Sequence, residues 1–248
     1  MRKLIVLLSL ALVYMSCVQD ISECNFKIVA HRGYWKAAEG AQNSIRAFDE
    51  AVRLGIEGVE LDVRQTKDGI LILHHDATAG DFVISESNLS EIRTLRLPDG
   101  SLIPTLEEYF EHVRNHQQIE LYIDVKTIGS TETIIDMLVK YGLDDRAVLL
   151  TSYEVGVRAV AYKDNISVHC MTTANSPSVL KENGFTGIGL DIEFLKNHID
   201  WIDQAHSLGL QVGCWVVKSE SEIIWCSHHD LDYATTDAPL ECKRYLQK

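Results

Sequence analysis

Positive charge is scarce in this chain: 23 Lys and Arg stand against 36 Asp and Glu, a net charge of −13 over 248 residues. A nucleic-acid binder needs a basic face, and adhesion to anionic lipid needs a cationic patch, so neither partner is expected. A phosphate-bearing substrate stays compatible with this balance if a bound cation supplies local positive charge. The glycine patterns GxGxxG and GxxxxGK[ST] are also missing, which removes the nucleotide-binding signature of an open α/β sheet. No CxxC and no metal-like cysteine spacing occurs. After Cys17 the cysteines are Cys24, Cys170, Cys214, Cys226 and Cys242, an odd number. Cys170 and Cys214 lie in apolar strand patterns and read as buried small hydrophobes, while an oxidising compartment would allow one disulfide.

No apolar run is long enough to span a bilayer as a mature helix. The N-terminal run, Leu4 to Met15, is twelve residues long and follows the basic pair Arg2 and Lys3. That is the form of a secretory signal. A small residue followed by Cys17 resembles a bacterial lipoprotein cleavage box, in which the cysteine is lipidated. Residues 1–17 are therefore expected to be a signal segment and 18–26 a tether. The protein is expected outside the cytoplasm, facing the periplasm or cell surface, touching membrane only through a lipid anchor at Cys17. No low-complexity linker interrupts the remainder of the chain, so residues 27–248 are read as one domain, and an apolar fraction of 46% is ordinary for a packed core.

What is present is a regular alternation of short apolar strands with amphipathic helices. Strands are expected at 27–31, 57–63, 119–125, 147–151, 166–170, 186–190, 210–217 and 231–235. Helices are expected between them, including IRAFDEAVRLG capped by Asn43 or Ser44, and PTLEEYF with Thr105 and Glu108 as a capping box. One long helix is expected near 197–208, and His228-His229-Asp230 reads as loop surface. Eight βα units in about 225 residues fit a (β/α)8 TIM barrel, whose active site lies at the C-terminal ends of its strands. Residues 70–75 are left over as an antiparallel arm after strand 2, returning through an Asp68-Gly69 turn. A two-residue loop there pairs Lys67 with Ile70, sets His75 opposite Asp62 and turns His74 away.

Chemistry gathers at the strand ends. His31 ends strand 1, Glu60 and Asp62 share a face of strand 2, and Asp124 ends strand 3. Glu60, Asp62 and Asp124 offer hard oxygen ligands for one divalent cation, Ca²⁺ or Mg²⁺. His31 and His75 flank them as an acid/base pair, with Asp76 placed to orient His75 or stabilise the turn. Arg32 and Lys126 can hold phosphate oxygens. Trp215 reads as core packing or as a ring at the rim.

Taken together, AHRG at 30–33, QNSIRAF at 42–48, GVELDVRQTKDG at 58–69 and HHD at 74–76 resemble the glycerophosphodiester phosphodiesterase family. PTLEEYF at 104–110, IDVK at 123–126, CWVV at 214–217 and TTDAP at 235–239 continue the resemblance across the mature chain. It implies a (β/α)8 barrel that hydrolyses small-molecule glycerophosphodiesters to glycerol 3-phosphate and an alcohol with Ca²⁺ or Mg²⁺. It also implies His31 and His75 as the catalytic pair, Arg32 on the phosphate, Trp215 at the glycerol moiety, and Glu60, Asp62 and Asp124 on the metal; Lys126 and Asn43 complete the expected substrate-binding set. The chain departs from the family with Gln42 in place of a glutamate, Asp124 in place of a glutamate, and no arginine after HHD. Two alternatives accompany this reading. One is a phosphatidylinositol-type phospholipase on a similar barrel, the other a non-catalytic glycerophosphodiester-binding surface lipoprotein.

Overall fold

The computed structural model describes residues 26–246, so the signal segment, Cys17 and nearly all of the tether lie outside the described residues. The strands are β1 (Lys27–Ala30), β2 (Gly58–Gln65), β3 (Leu71–Leu73), β4 (Thr78–Ala79), β5 (Phe82–Val83), β6 (Glu120–Val125), β7 (Ala147–Thr151), β8 (Ser167–Cys170), β9 (Gly187–Asp191), β10 (Gln211–Val217) and β11 (Tyr233–Thr236). The helices are α1 (Ile45–Leu54), α2 (Leu89–Ile92), α3 (Leu106–Val113), α4 (Thr131–Tyr141), α5 (Tyr153–Tyr162), α6 (Pro177–Glu182), α7 (Ile192–Asn197), α8 (Ile199–Ser207), α9 (Glu220–His228) and α10 (Pro239–Leu246). All strands from β6 to β11 pair in parallel with their sequence neighbours, and β6 pairs with β2. β1 then pairs in parallel with both β11 and β2, which closes the eight-stranded barrel. Among the described residues no helix is long and apolar enough to cross a membrane.

Local chemistry sets the helix ends. Ser44, rather than Asn43, caps α1: its hydroxyl accepts from the Ala47 N–H at 2.9 Å, and the helix stops where Gly55 turns left-handed at φ 69°. Such a cap stabilises by about 1 kcal/mol. Thr105 and Glu108 form the expected capping box on α3. The helix expected near 197–208 is α8, and a short helix that the spacing did not announce, α7, precedes it, parted from it at His198, whose backbone leaves helical geometry. Of the expected surface loop, His228 is instead the last residue of α9, while His229 is its C-cap, with its ring stacked on Trp225 at 4.2 Å, and Asp230 lies in the turn beyond.

Strand alternation produces two apolar layers. Val59, Leu61 and Val63 of β2 point outward into the main core beneath the helices. The barrel interior holds Val29, Tyr122, Val148, Leu150 and Tyr233, with the two tyrosine rings 4.6 Å apart. Room for Tyr233 comes from Gly213, where an added Cβ would lie 2.0 Å from the ring. Each buried large side chain contributes roughly 1.5–3 kcal/mol. On the inward side of β2 and β6 the register sets Glu60 beside Tyr122 and Asp62 beside Asp124. The aromatic layer therefore forms a floor, and the carboxylates sit above it at the C-terminal mouth.

The antiparallel arm exists, but its register differs from the expected one. Val63 pairs with Leu73 and Gln65 with Leu71, so Thr66 closes the loop against Ile70 and three residues turn, not two. Gly69 occupies the left-handed third position at φ 83°, the arrangement of a turn followed by a bulge. Thr66 drives it: its hydroxyl donates to Asp68 Oδ1 at 2.6 Å and accepts from the Ile70 N–H at 3.0 Å. His74, not His75, therefore meets Asp62, donating its N–H to the Asp62 carbonyl at 3.1 Å. β1 is short and covers only Gly58 and Val59 of β2, so the arm occupies the edge that β1 leaves open. Its chain end reaches the mouth beside the end of β1.

Candidate active site

The mouth encloses a cavity of about 280 Å³ lined on one side by His31, Arg32, Glu60, Asp62, His75, Asp124 and Lys126. Leu150, Met171, Trp215 and Val216 line the other side, giving the cavity a polar wall and a largely apolar one. Eight of the nine site residues singled out from sequence thus meet in one space. Asn43 is the exception. It is 4% exposed, with its side chain folded onto Asp62: the Asn43 amide donates to Asp62 Oδ2 at 2.9 Å, and the Asp62 N–H donates to Asn43 Oδ1 at 3.0 Å.

The loop after β1 sets the first histidine and arginine. His31 follows the last β1 residue, and Arg32 and Gly33 both take positive φ, 56° and 75°. A Cβ on Gly33 would lie 2.7 Å from Ala47, so only glycine lets the loop pack on α1. This turn points the Arg32 N–H at Glu60 Oε2, 2.8 Å away. The Arg32 side chain donates to Gln42 Oε1 at 2.6 Å and brings its Nε within 3.4 Å of Asp62. Gln42 thus keeps a carbonyl oxygen on the arginine where the family resemblance implies a carboxylate.

Each imidazole is tied at Nδ1 to a carboxylate. His31 Nδ1 lies 2.7 Å from Asp237 Oδ1, and His75 Nδ1 lies 2.8 Å from Asp76 Oδ1. An Nδ1–H donated to a carboxylate leaves Nε2 with its lone pair; the Nε2 of His31 stands 3.9 Å from Glu60 Oε2. The two pairs differ in exposure, with His31 at 16% and His75 at 40%. Burial acts against ionisation of Asp237, but the hydrogen bonds from His31 and from Trp35 Nε1 outweigh it and hold the carboxyl low. The His75 carbonyl accepts twice from the Arg64 guanidinium, at 2.9 and 2.7 Å, which pins the backbone where the arm leaves β3.

Asp237, Trp35 and Arg64 were not among the residues singled out from sequence. The signal for Asp237 was present, since TTDAP carries an acid immediately after the last strand at the rim. Arg64 carried none: its role depends on a bond to a main-chain carbonyl eleven residues away.

The three acidic side chains crowd one another. Oxygens of Glu60, Asp62 and Asp124 lie within 4.8 Å of one another. Burial first, then repulsion from Asp62 and Asp124, pushes the Glu60 carboxyl well up. Asp124 is raised mainly by burial. Burial would raise Asp62 too, but Lys126, Asn43 and Arg32 together hold it down. The Lys126 ammonium contacts Asp62 Oδ1 at 3.1 Å and also pairs with Asp124, and burial, which would lower it, is outweighed by these two acids. A buried group of hard oxygens, with the Glu60 and Asp124 carboxyls pushed up mainly by burial, is a donor set that a divalent cation fits.

A (β/α)8 barrel with paired imidazoles, a carboxylate cluster and fixed cations at the strand ends defines the class as a barrel hydrolase of phosphate esters. The glycerophosphoryl diester phosphodiesterase family pattern matches residues 31–241, and the chain belongs to that family. It is similar to probable glycerophosphodiester phosphodiesterase 1 of Mycobacterium tuberculosis, 25% identical over 254 residues, covering 89% of this chain and 92% of that protein. Among solved structures, a glycerophosphodiester phosphodiesterase from Parabacteroides distasonis superposes with TM-score 0.85 at 29% identity, covering 90% of this chain and 97% of the other. A phosphodiesterase from Oleispira antarctica, solved with the product sn-glycerol-3-phosphate, shares the fold at TM-score 0.76 and 22% identity, covering 90% and 97%. The protein is a glycerophosphodiester phosphodiesterase by class.

Proposed function

We propose that this protein hydrolyses glycerophosphodiesters to glycerol 3-phosphate and an alcohol, with His31 and His75 as the acid/base pair and one divalent cation on Glu60, Asp62 and Asp124. The observation that carries the reading is the pair of imidazoles, each anchored at Nδ1 by its own carboxylate, lining one cavity with three acids. One imidazole takes the proton of the attacking hydroxyl as a new P–O bond forms. The other gives its proton to the alcohol oxygen as the old P–O bond breaks; the first imidazole is then protonated and the second is not, and proton exchange with water resets the pair for the next turnover. Arg32 and Lys126 hold non-bridging phosphate oxygens, as fixed positive charge aimed at developing negative charge. The bound cation, Ca²⁺ or Mg²⁺, supplies further charge neutralisation at the phosphate. Trp215, whose indole N–H donates to the Gly189 carbonyl at 2.8 Å, offers a fixed ring for the glycerol carbons on the apolar wall.

The sn-glycerol-3-phosphate held by the Oleispira antarctica phosphodiesterase supports the product side of this reading. Export and lipidation at Cys17 belong to the same proposal and place the enzyme where extracytoplasmic headgroup diesters are available. His31→Ala and His75→Ala should each lower turnover of glycerophosphocholine at least about 10²-fold, the scale of general acid/base catalysis. EDTA should abolish activity, and Ca²⁺ or Mg²⁺ should restore it. Near-normal turnover in both variants would sink the assignment. Tight binding of the diester with no product would instead identify a barrel that binds without turning over.

A further inference from the structure

A second cluster of donor atoms lies on the outer helical layer, apart from the cavity at the mouth. Asp49 on α1 faces His112 on α3 and His116 in the turn that follows it, and their ligand atoms all lie within 4.8 Å of one another. Asp49 Oδ1 stands 2.7 Å from His112 Nε2. His112 lies in the last turn of α3 and His116 in the turn beyond it, and their ring centroids are 5.9 Å apart. Both rings meet Phe48 edge-on, at 6.1 and 5.4 Å, and Phe48 is fully buried. The turn that carries His116 is held by its own N–H on the Val113 carbonyl at 3.0 Å and by Arg146, which donates to the His116 carbonyl at 2.9 Å. Three donors, from two helices and the turn after the second, are thus gathered on the apolar base of Phe48.

The donor chemistry differs from that of the mouth. Two imidazoles and a carboxylate suit a borderline ion such as Zn²⁺, whereas Mg²⁺ and Ca²⁺ prefer oxygen alone. Tetrahedral bonds of about 2.0–2.1 Å set neighbouring zinc donors about 3.3 Å apart. The Asp49–His112 pair, at 2.7 Å, is tighter than that and all three donors lie within 4.8 Å of one another, so modest side-chain shifts fit an ion. Asp49 and His112 have room to make them, being 49% and 36% exposed. We propose that Asp49, His112 and His116 form a Zn²⁺ site, completed by water, that clamps α1 to α3. α1 follows directly on Asn43 and Ser44, so the clamp steadies the helix whose N-terminal end abuts the Asn43–Asp62 contact.

The test is Zn²⁺ titration of the folded protein against a chromophoric chelator, with excess Mg²⁺ present. It is repeated in a Glu60→Gln/Asp62→Asn background that removes the carboxylates of the mouth. One equivalent of Zn²⁺ should bind in both. In His112→Gln, His116→Gln and Asp49→Asn the affinity should fall at least roughly 10–100-fold, the range already seen when only an outer partner of a zinc ligand is lost. Circular dichroism checks that each variant is folded, and Asp49→Asn, at an exposed helix position, keeps the comparison informative if a histidine variant is not. Co²⁺ in place of Zn²⁺ should give visible absorption that His116→Gln abolishes. Zinc affinity unchanged in His116→Gln and Asp49→Asn would overturn the proposal. So would an equivalent that vanishes only in the Glu60→Gln/Asp62→Asn background.

Discussion

Replacing Asp237 by Asn removes a charge from the back of His31 while keeping the side chain's shape. The wild-type contact is 2.7 Å between His31 Nδ1 and Asp237 Oδ1. A hydrogen bond to a charged partner contributes about 1.5–3 kcal/mol, and a neutral one about 0.5–1.5. The difference is about 1–1.5 kcal/mol, taken at the low end because Asp237 is 34% exposed and solvent screens part of its charge. At about 1.4 kcal/mol per factor of ten, kcat should fall roughly 5–10-fold. KM should change little, since Asp237 does not line the cavity. Initial rates of glycerol 3-phosphate release from glycerophosphocholine measure both constants. In a His31→Ala background the same substitution should add almost nothing, because the two residues act as a unit. Asp237→Asn within twofold of wild type, or a full additional loss in the His31→Ala background, would refute the argument that Asp237 works through His31.

Arg64→Met should loosen His75 by removing both donors to its carbonyl, lowering kcat by up to roughly 10²-fold through misplacement; unchanged rates would show the arm holds His75 unaided. Gly213→Ala should destabilise by at least about 1–3 kcal/mol through overpacking on the Tyr233 ring, read as a lower urea midpoint with unchanged slope. His169 is fully buried with Nδ1 at 3.0 Å from the Tyr233 hydroxyl, and burial lowers it from 6.5 to about 3. Its unfolded form therefore binds a proton that the folded form refuses, so its contribution to stability is full above pH 6.5 and is lost as pH falls toward 3. The slope approaches about 1.4 kcal/mol per pH unit, and His169→Gln should flatten it between pH 6 and about 4.5 in urea titrations.

Much of this was legible from residue types. The eight strands, the Thr105–Glu108 cap and the inward pairing of Glu60 with Asp62 follow from local pattern, because each depends on neighbours two to four residues away. The hairpin register did not follow, since Asp68-Gly69 suits both a two-residue turn and the second half of a three-residue one. The Thr66 hydroxyl, bonded to Asp68 and Ile70, decides between them. His75 still reaches the mouth, by a different route: the chain leaves β3 after Leu73 and Arg64 draws its carbonyl in. Asn43 illustrates the opposite limit. Its letter is right for a polar site, but its left-handed backbone at φ 57° turns the amide onto Asp62 rather than into the cavity. Among the described residues Cys170, Cys214, Cys226 and Cys242 are free thiols, and Cys214 and Cys226 face each other. Their sulfurs sit 3.2 Å apart and buried, a contact between β10 and the helix that follows it that spacing alone does not announce.

The central claim is that this mouth cleaves a phosphodiester with two histidines. ³¹P NMR of glycerophosphocholine incubated with the enzyme and Ca²⁺ or Mg²⁺ tests it most directly. The account predicts that the diester resonance is replaced by that of glycerol 3-phosphate with wild type, and persists with His31→Ala or His75→Ala. A diester signal untouched by wild type, or consumed equally fast by both variants, would contradict it.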